Sequence, residues 1–137
     1  AVVFAATLGL EFDRVLARYG RVSPAKALLL QGLGAERIEG LCDVFCEKIR
    51  QEAQKNGRFP APRFSPGYGD LPLSLQRDIF RVLDCPRKIG LTLNESLLMS
   101  PSKSVTAIVG LGHPRESSCS GGCPQCSKTD CIYRSTP

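Results

Sequence analysis

"SPAKALLLQGLGAERIEGLCDVFCEKIRQEAQKNG", residues 23–57, decides the fold. Ser23 stands where a helix N-cap is needed. Pro24 suits the first helical position, because its missing N–H would have had no partner there. Leu30, Leu33, Ile38, Leu41, Phe45 and Ile49 recur at helical spacing. Gly57 closes the pattern. Three glycines, Gly32, Gly34 and Gly40, interrupt it, each costing about 1 kcal/mol relative to Ala inside a helix. Such residues predict close packing against that face, a break near Gly32–Gly34, or close approach of a ligand near Gly40.

Shorter elements flank this helix. "VVFAATLG" (2–9), rich in β-branched and aromatic residues, predicts a buried strand. "LEFDRVLARYG" (10–20) places Leu10, Phe12, Val15, Leu16 and Tyr19 at helical spacing. "RFPAPRFSPGYGDLP" (58–72) is a Pro/Gly loop. "LSLQRDIFRVLD" (73–84) predicts a short helix burying Leu75, Ile79, Phe80 and Leu83. "KIGLTL" (88–93), "NESLLM" (94–99) and "SVTAIVGLG" (104–112) predict strands, the last two joined through "SPSK". Connections this short cannot make parallel crossovers. The expected class is α+β: a twisted, largely antiparallel sheet packed with a long helix and shorter helices, plus an irregular Cys-rich tail. Apolar periodicity ends at His113, and "HPRESSCSGG" (113–122) predicts a linker. The expected division is a core over 1–114 and a tail over 115–137.

The 137 residues suit one domain, and 42% hydrophobic content is enough for a core. The net charge of +5 is modest and its Lys and Arg are scattered, which argues against a nucleic-acid stripe. No apolar run approaches the ~20 residues of a membrane span. The opening "AVVFAATLGL" has no basic flank and makes a poor signal peptide. A chain opening directly on a strand predicts a fragment whose N-terminal ligand contacts lie elsewhere.

Cys42, Cys46 and Cys85 are scattered, whereas Cys119, Cys123, Cys126 and Cys131 crowd the tail as C-x3-C-x2-C-x4-C. An odd total of seven with a clustered end fits a reducing, cytoplasmic compartment better than a secreted disulfide framework. Four thiolates can hold an iron–sulfur cluster or a zinc ion, or remain redox-active thiols. His113 is the only His, which excludes a multi-His metal site. "GLGAERIEG" (32–40) fails as a dinucleotide loop, since Arg37 occupies the third Gly position inside a helix.

"RFSPGYGD" (63–70) has two readings, a structural turn or a ligand loop. Gly67 and Gly69 flank Tyr68 and permit positive φ. Arg63 is a fork donor for carboxylate or phosphate. Glu39 and Asp43, one helical turn apart, could face the loop. This set would suit a zwitterionic ligand carrying an aromatic base.

Together these segments resemble the C-terminal activation domain of cobalamin-dependent methionine synthase. The resemblance rests on Arg63, Pro66, Gly67 and Tyr68, then Glu95, Ser96, Met99, Pro101, Ser104 and Val105, then His113–Pro114, with Glu39, Glu47 and Arg50 on the preceding helix. It covers roughly residues 1–114. The family binds S-adenosylmethionine in a shallow groove and restores methylcobalamin from the inactive cob(II) state with one electron and the methyl group. The resemblance therefore implies an S-adenosylmethionine-binding module for reductive reactivation, an accessory to methyltransferase activity in methionine biosynthesis. It implies that Arg63 takes the ligand carboxylate, that Glu39 balances the cationic end, and that Tyr68 with the amides around Pro66 and Gly67 lines the groove. It implies no catalytic acid or base in the domain, since the methyl acceptor is the corrinoid cobalt. Cobalamin would sit on a partner, a cobalamin-binding methionine synthase or another corrinoid protein, because the D-x-H-x-x-G cobalt-ligand motif is absent. An electron donor such as flavodoxin or ferredoxin would serve the reduction, or the Cys tail would bring the electron. The chain departs from the family where Gly69-Asp70-Leu71-Pro72 replaces Pro-Ala-Cys-Pro, and where the Cys tail replaces a strand bearing a Tyr pair. The alternative is a metal-binding redox or interaction protein on the same fold without the ligand.

Overall fold

A computed structural model describes residues 1–112. His113, Pro114 and the four tail cysteines lie outside the described residues. The chain runs β1 (Val2–Thr7), α1 (Leu10–Val22), α2 (Pro24–Lys55), β2 (Phe59–Pro60), a single 3-10 turn (Leu73–Leu75), α3 (Gln76–Leu83), α4 (Cys85–Ile89), β3 (Thr92–Leu93), β4 (Met99–Ser100), β5 (Ser104–Val109) and β6 (Leu111–Gly112). The α+β class holds, and every strand pair is antiparallel. Among the described residues, pairing occurs in three two-stranded ribbons, β1–β5, β2–β6 and β3–β4.

The β1–β5 ribbon is the centre. Its register runs without a bulge from Val2↔Val109 to Thr7↔Ser104. Side chains alternate across a strand, so the ribbon has two faces. One carries Phe4, Ala107 and Val109, which pack with Cys42 and Ile49 of α2. The other carries Ala5, packed with Phe80, Cys85 and Leu91. The result is three layers, with α2 on one side of the ribbon and α3–α4 on the other. Phe45 of α2 meets Phe4 edge-on, at 4.9 Å between ring centroids.

Helix α2 is continuous for 32 residues, roughly 48 Å at 1.5 Å per residue. Ser23 occupies the N-cap with extended backbone, but its hydroxyl makes no capping bond. The buried face is Gly34, Ile38, Cys42, Ile49 and Ala53, whereas Leu33, Leu41 and Phe45 are exposed to varying degrees. Small residues let the helix approach the ribbon closely, so the face rotates away from the Leu-rich stripe that periodicity picks out. Gly34 lies against α1, where an added Cβ would come within 2.4 Å of Phe12 Cζ. No break occurs at Gly32–Gly34, and Gly32 and Gly40 face open space. Asp13 secures α1 to the β4–β5 turn, accepting bonds from Ser102 N–H and Oγ–H at 2.7 Å each.

The expected strand over 88–93 survives only in its last two residues, because Lys88 and Ile89 end helix α4 instead. Pro86 lies in the first turn of α4, Arg87 and Lys88 in its last, and Gly90 caps it at φ 64. These start and stop signals outweigh the β-propensity of Ile89, and only Thr92–Leu93 is extended. The strand expected over 94–99 contracts in the same way. Asn94 Oδ1 accepts the Leu98 N–H at 2.8 Å, and this turn leaves Met99–Ser100 as the strand.

The three glycines of α2 should therefore separate in denaturant unfolding. Gly32→Ala and Gly40→Ala should each stabilise by about 0.5–1 kcal/mol. Gly34→Ala should destabilise by about 1 kcal/mol, because Phe12 must leave its seat.

Candidate functional site

The chain leaving β2 runs along the outer edge of β5. Phe64 exchanges both backbone bonds with Ile108, at 2.9 and 2.8 Å. This pins residue 64 to the ribbon and sends the preceding side chain, Arg63, toward α2. There Arg63 Nη1 donates to Asp43 Oδ1 at 2.8 Å, and Nη2 donates to Glu39 Oε2. The two carboxylates are four residues apart, hence on one helix face, and the guanidinium fork spans them. Burial works against the Arg63 charge, but Glu39 and Asp43 outweigh it and raise its pKa further. Arg63 is the more buried partner, at 23% side-chain exposure against 56% and 74% for the two acids.

After Phe64 the loop folds on itself. Gly67 N–H donates to Leu71 C=O at 2.9 Å, and Leu71 N–H donates to Tyr68 C=O at 3.1 Å. Gly67 adopts φ 96, a region that side chains rarely enter. Tyr68 is left two-thirds exposed and Pro66 buried.

Between loop, α3 and β5 lies a cavity of about 490 Å³, within the range of ligand clefts, about 300–1,000 Å³. Glu39, Arg63, Pro66 and Tyr68 line it together. Gly67 is not in its wall, and its N–H is already engaged within the loop. The sequence reading missed Gln76, Met99, Ser104, Val105 and Thr106 as lining residues. One signal for them existed: Ser104 and Thr106 are the polar members of the otherwise apolar run "SVTAIV".

The family model for the vitamin B12-dependent methionine synthase activation domain matches residues 2–119. The chain belongs to this family. Among solved structures, the crystal structure of the MetH reactivation domain bound to AdoHcy is similar, with a TM-score of 0.68 and 22% identity. The match covers 82% of this chain and 39% of that one, so the chain spans well under half the length of that relative. No curated protein matches the chain. In this activation domain, Met99, Ser104 and Val105 of the motif segment reach the cavity, whereas Glu95 and Ser96 lie in an exposed turn. No helix among the described residues is long and apolar enough to cross a membrane. Nor do the described residues hold a cluster of three or more metal-ligating side chains.

The three described cysteines are free thiols. Burial raises the pKa of Cys42, and burial likewise raises that of Cys85. Both should resist alkylation, since the thiolate is the nucleophile. Mass-spectrometric mapping of iodoacetamide labelling on the native protein should find Cys46 modified before Cys42 and Cys85. Equal rates would contradict the burial.

Proposed function

We propose that this activation domain binds S-adenosylmethionine in the cavity beside Arg63 and serves the reductive reactivation of a cobalamin-dependent methionine synthase or a related corrinoid protein. The observation that carries the reading is the ion cluster. One guanidinium faces two carboxylates, leaving the cluster one negative charge in excess. S-adenosylmethionine carries a carboxylate, an ammonium and a sulfonium, for a net positive charge. Its carboxylate would take one arm of the Arg63 fork. Glu39, released from that arm, would face the ammonium. Tyr68 offers an exposed ring and hydroxyl at the rim. Bound AdoHcy in the similar MetH reactivation domain supports the same class of ligand here.

The corrinoid of the partner protein, once reduced by one electron, would accept the methyl group, leaving S-adenosylhomocysteine. The activation domain's own residues would hold and orient the donor, with no acid or base required of them. Positioning of this kind is a sufficient contribution when the acceptor is itself a strong nucleophile. The electron would come from a donor protein such as flavodoxin or ferredoxin.

A second reading concerns 115–137 as a separate tail. The spacing of Cys119, Cys123, Cys126 and Cys131 supports a four-thiolate site for an iron–sulfur cluster or zinc. Anaerobically purified protein with absorption near 400 nm and bound iron would support the cluster. Colourless protein with stoichiometric zinc would support the second metal, and absence of both would remove the site.

Calorimetry of S-adenosylmethionine binding on the chain and on Arg63→Ala tests the ligand. The expected outcome is saturable binding, weakened about 10- to 100-fold in the variant, as loss of a charged hydrogen-bond partner predicts. S-adenosylhomocysteine, lacking the sulfonium charge, should bind less tightly than S-adenosylmethionine. Raising the salt concentration should narrow that gap. Absence of binding, or unaltered binding in Arg63→Ala, would refute the reading.

A further inference from the structure

Two neutral polar residues of the cavity wall, Gln76 and Thr106, differ in character from the ion cluster. Thr106 is 1% exposed and Gln76 6% exposed. Both line the cavity. Thr106 Oγ1 and Gln76 Oε1 are buried without a hydrogen bond among the described residues. Most buried polar atoms in folded proteins have a partner, so two orphans against one cavity require a cause.

The strand edge adds two more groups. In an antiparallel pair, alternate residues turn their backbone N–H and C=O toward the partner strand and away from it. Ile108 turns outward and is met by Phe64, and Gly110 turns outward and is met by Ala61 N–H at 2.8 Å. The register places Thr106 in the same outward set. The residue continuing the Phe64↔Ile108 pairing would be Pro66, which has no N–H to give. No backbone bond reaches the outward side of Thr106 among the described residues. The β5 edge is thus open where it meets the cavity.

From these observations we infer that Thr106 and Gln76 form an adenine-reading edge of the S-adenosylmethionine site. The inference rests on the proposed ligand. Its chemistry is neutral throughout: a backbone donor and acceptor, a hydroxyl and a carboxamide. That set does not suit the charged amino-acid end of the ligand, which Arg63 and Glu39 serve. It suits a purine edge, where an exocyclic amino group stands beside ring-nitrogen acceptors. A glutamine carboxamide matches such an edge with one acceptor and one donor. The terminal torsion of Gln is broad, so a small rotation turns the buried oxygen to the ligand. Pro66 gains a role here, holding the strand edge open by failing to pair with it.

The test compares S-adenosylhomocysteine with S-inosylhomocysteine, in which an oxo group replaces the exocyclic amine. Dissociation constants are measured for the full 137-residue chain, Gln76→Met, Thr106→Val and Arg63→Ala, with thermal unfolding confirming that each is folded. The expected result is that the wild-type chain prefers the adenine compound by about tenfold or more, since a site built to hydrogen-bond a group rejects the analogue lacking it. Gln76→Met should bring that ratio near one, and Thr106→Val should reduce it. Arg63→Ala should weaken both ligands alike and keep the ratio. An unaltered ratio in both Gln76→Met and Thr106→Val would overturn the inference while leaving the ligand in place. Failure of the wild-type chain to bind either compound would overturn the ligand reading and this inference with it.

Discussion

The ladder between β1 and β5 is the constraint on which the rest depends. Both strands are six residues long, and they are separated by nearly the whole described chain. Their pairing closes a long loop, an entropic cost that must be met by contacts formed only once it is closed. Those contacts exist on both faces. Phe4, Ala107 and Val109 are covered by α2, and Ala5 by α3 and α4. With one edge of β5 taken by β1, the opposite edge is left for the chain that follows β2. The two bonds between Phe64 and Ile108 then fix where Arg63 emerges. The ion cluster is thus held in place by the backbone ladder, and its own attraction refines the geometry.

That order of dependence leaves the cluster only a small part in stability. Glu39 and Asp43 are largely exposed, and ion pairs of such exposure contribute about 0–1 kcal/mol. The core does not need them. A guanidinium at the edge of a cavity, held by two acids at once, would instead suit the exchange with a ligand proposed above.

Much of this was legible in the sequence, for local reasons. The strand at Val2–Thr7, the helix from Leu10 and the long helix from Pro24 follow from periodicity and from proline and glycine punctuation. The Arg63–Glu39–Asp43 grouping was legible because four-residue spacing puts two acids on one helix face, and because the loop returns past it. What stayed hidden depends on tertiary alignment. The core face of α2 could not be chosen from periodicity, since Cys42 is buried against the ribbon beside exposed Leu41, and Gly34 against α1 beside exposed Leu33. Helix α4 was hidden by the apolar Ile89 and Leu91, although Pro86 and Gly90 marked its ends. Gln76 and Thr106 are 30 residues apart, and nothing local says that they meet one cavity wall.

The pairing of Arg63 with two acids has a consequence for how a carboxylate ligand arrives. The guanidinium is already held by Glu39 and Asp43, so on the proposed binding it would lose little side-chain freedom. An incoming carboxylate replaces an existing one. Affinity then measures a difference between two ion pairs, and the acid displaced from the fork becomes a counter-ion for whatever positive charge accompanies the newcomer. A plain carboxylic acid would gain little from that exchange. On the proposed reading, a molecule bearing both signs of charge would satisfy the arginine and the freed acid together, and the loop would favour zwitterions over plain acids.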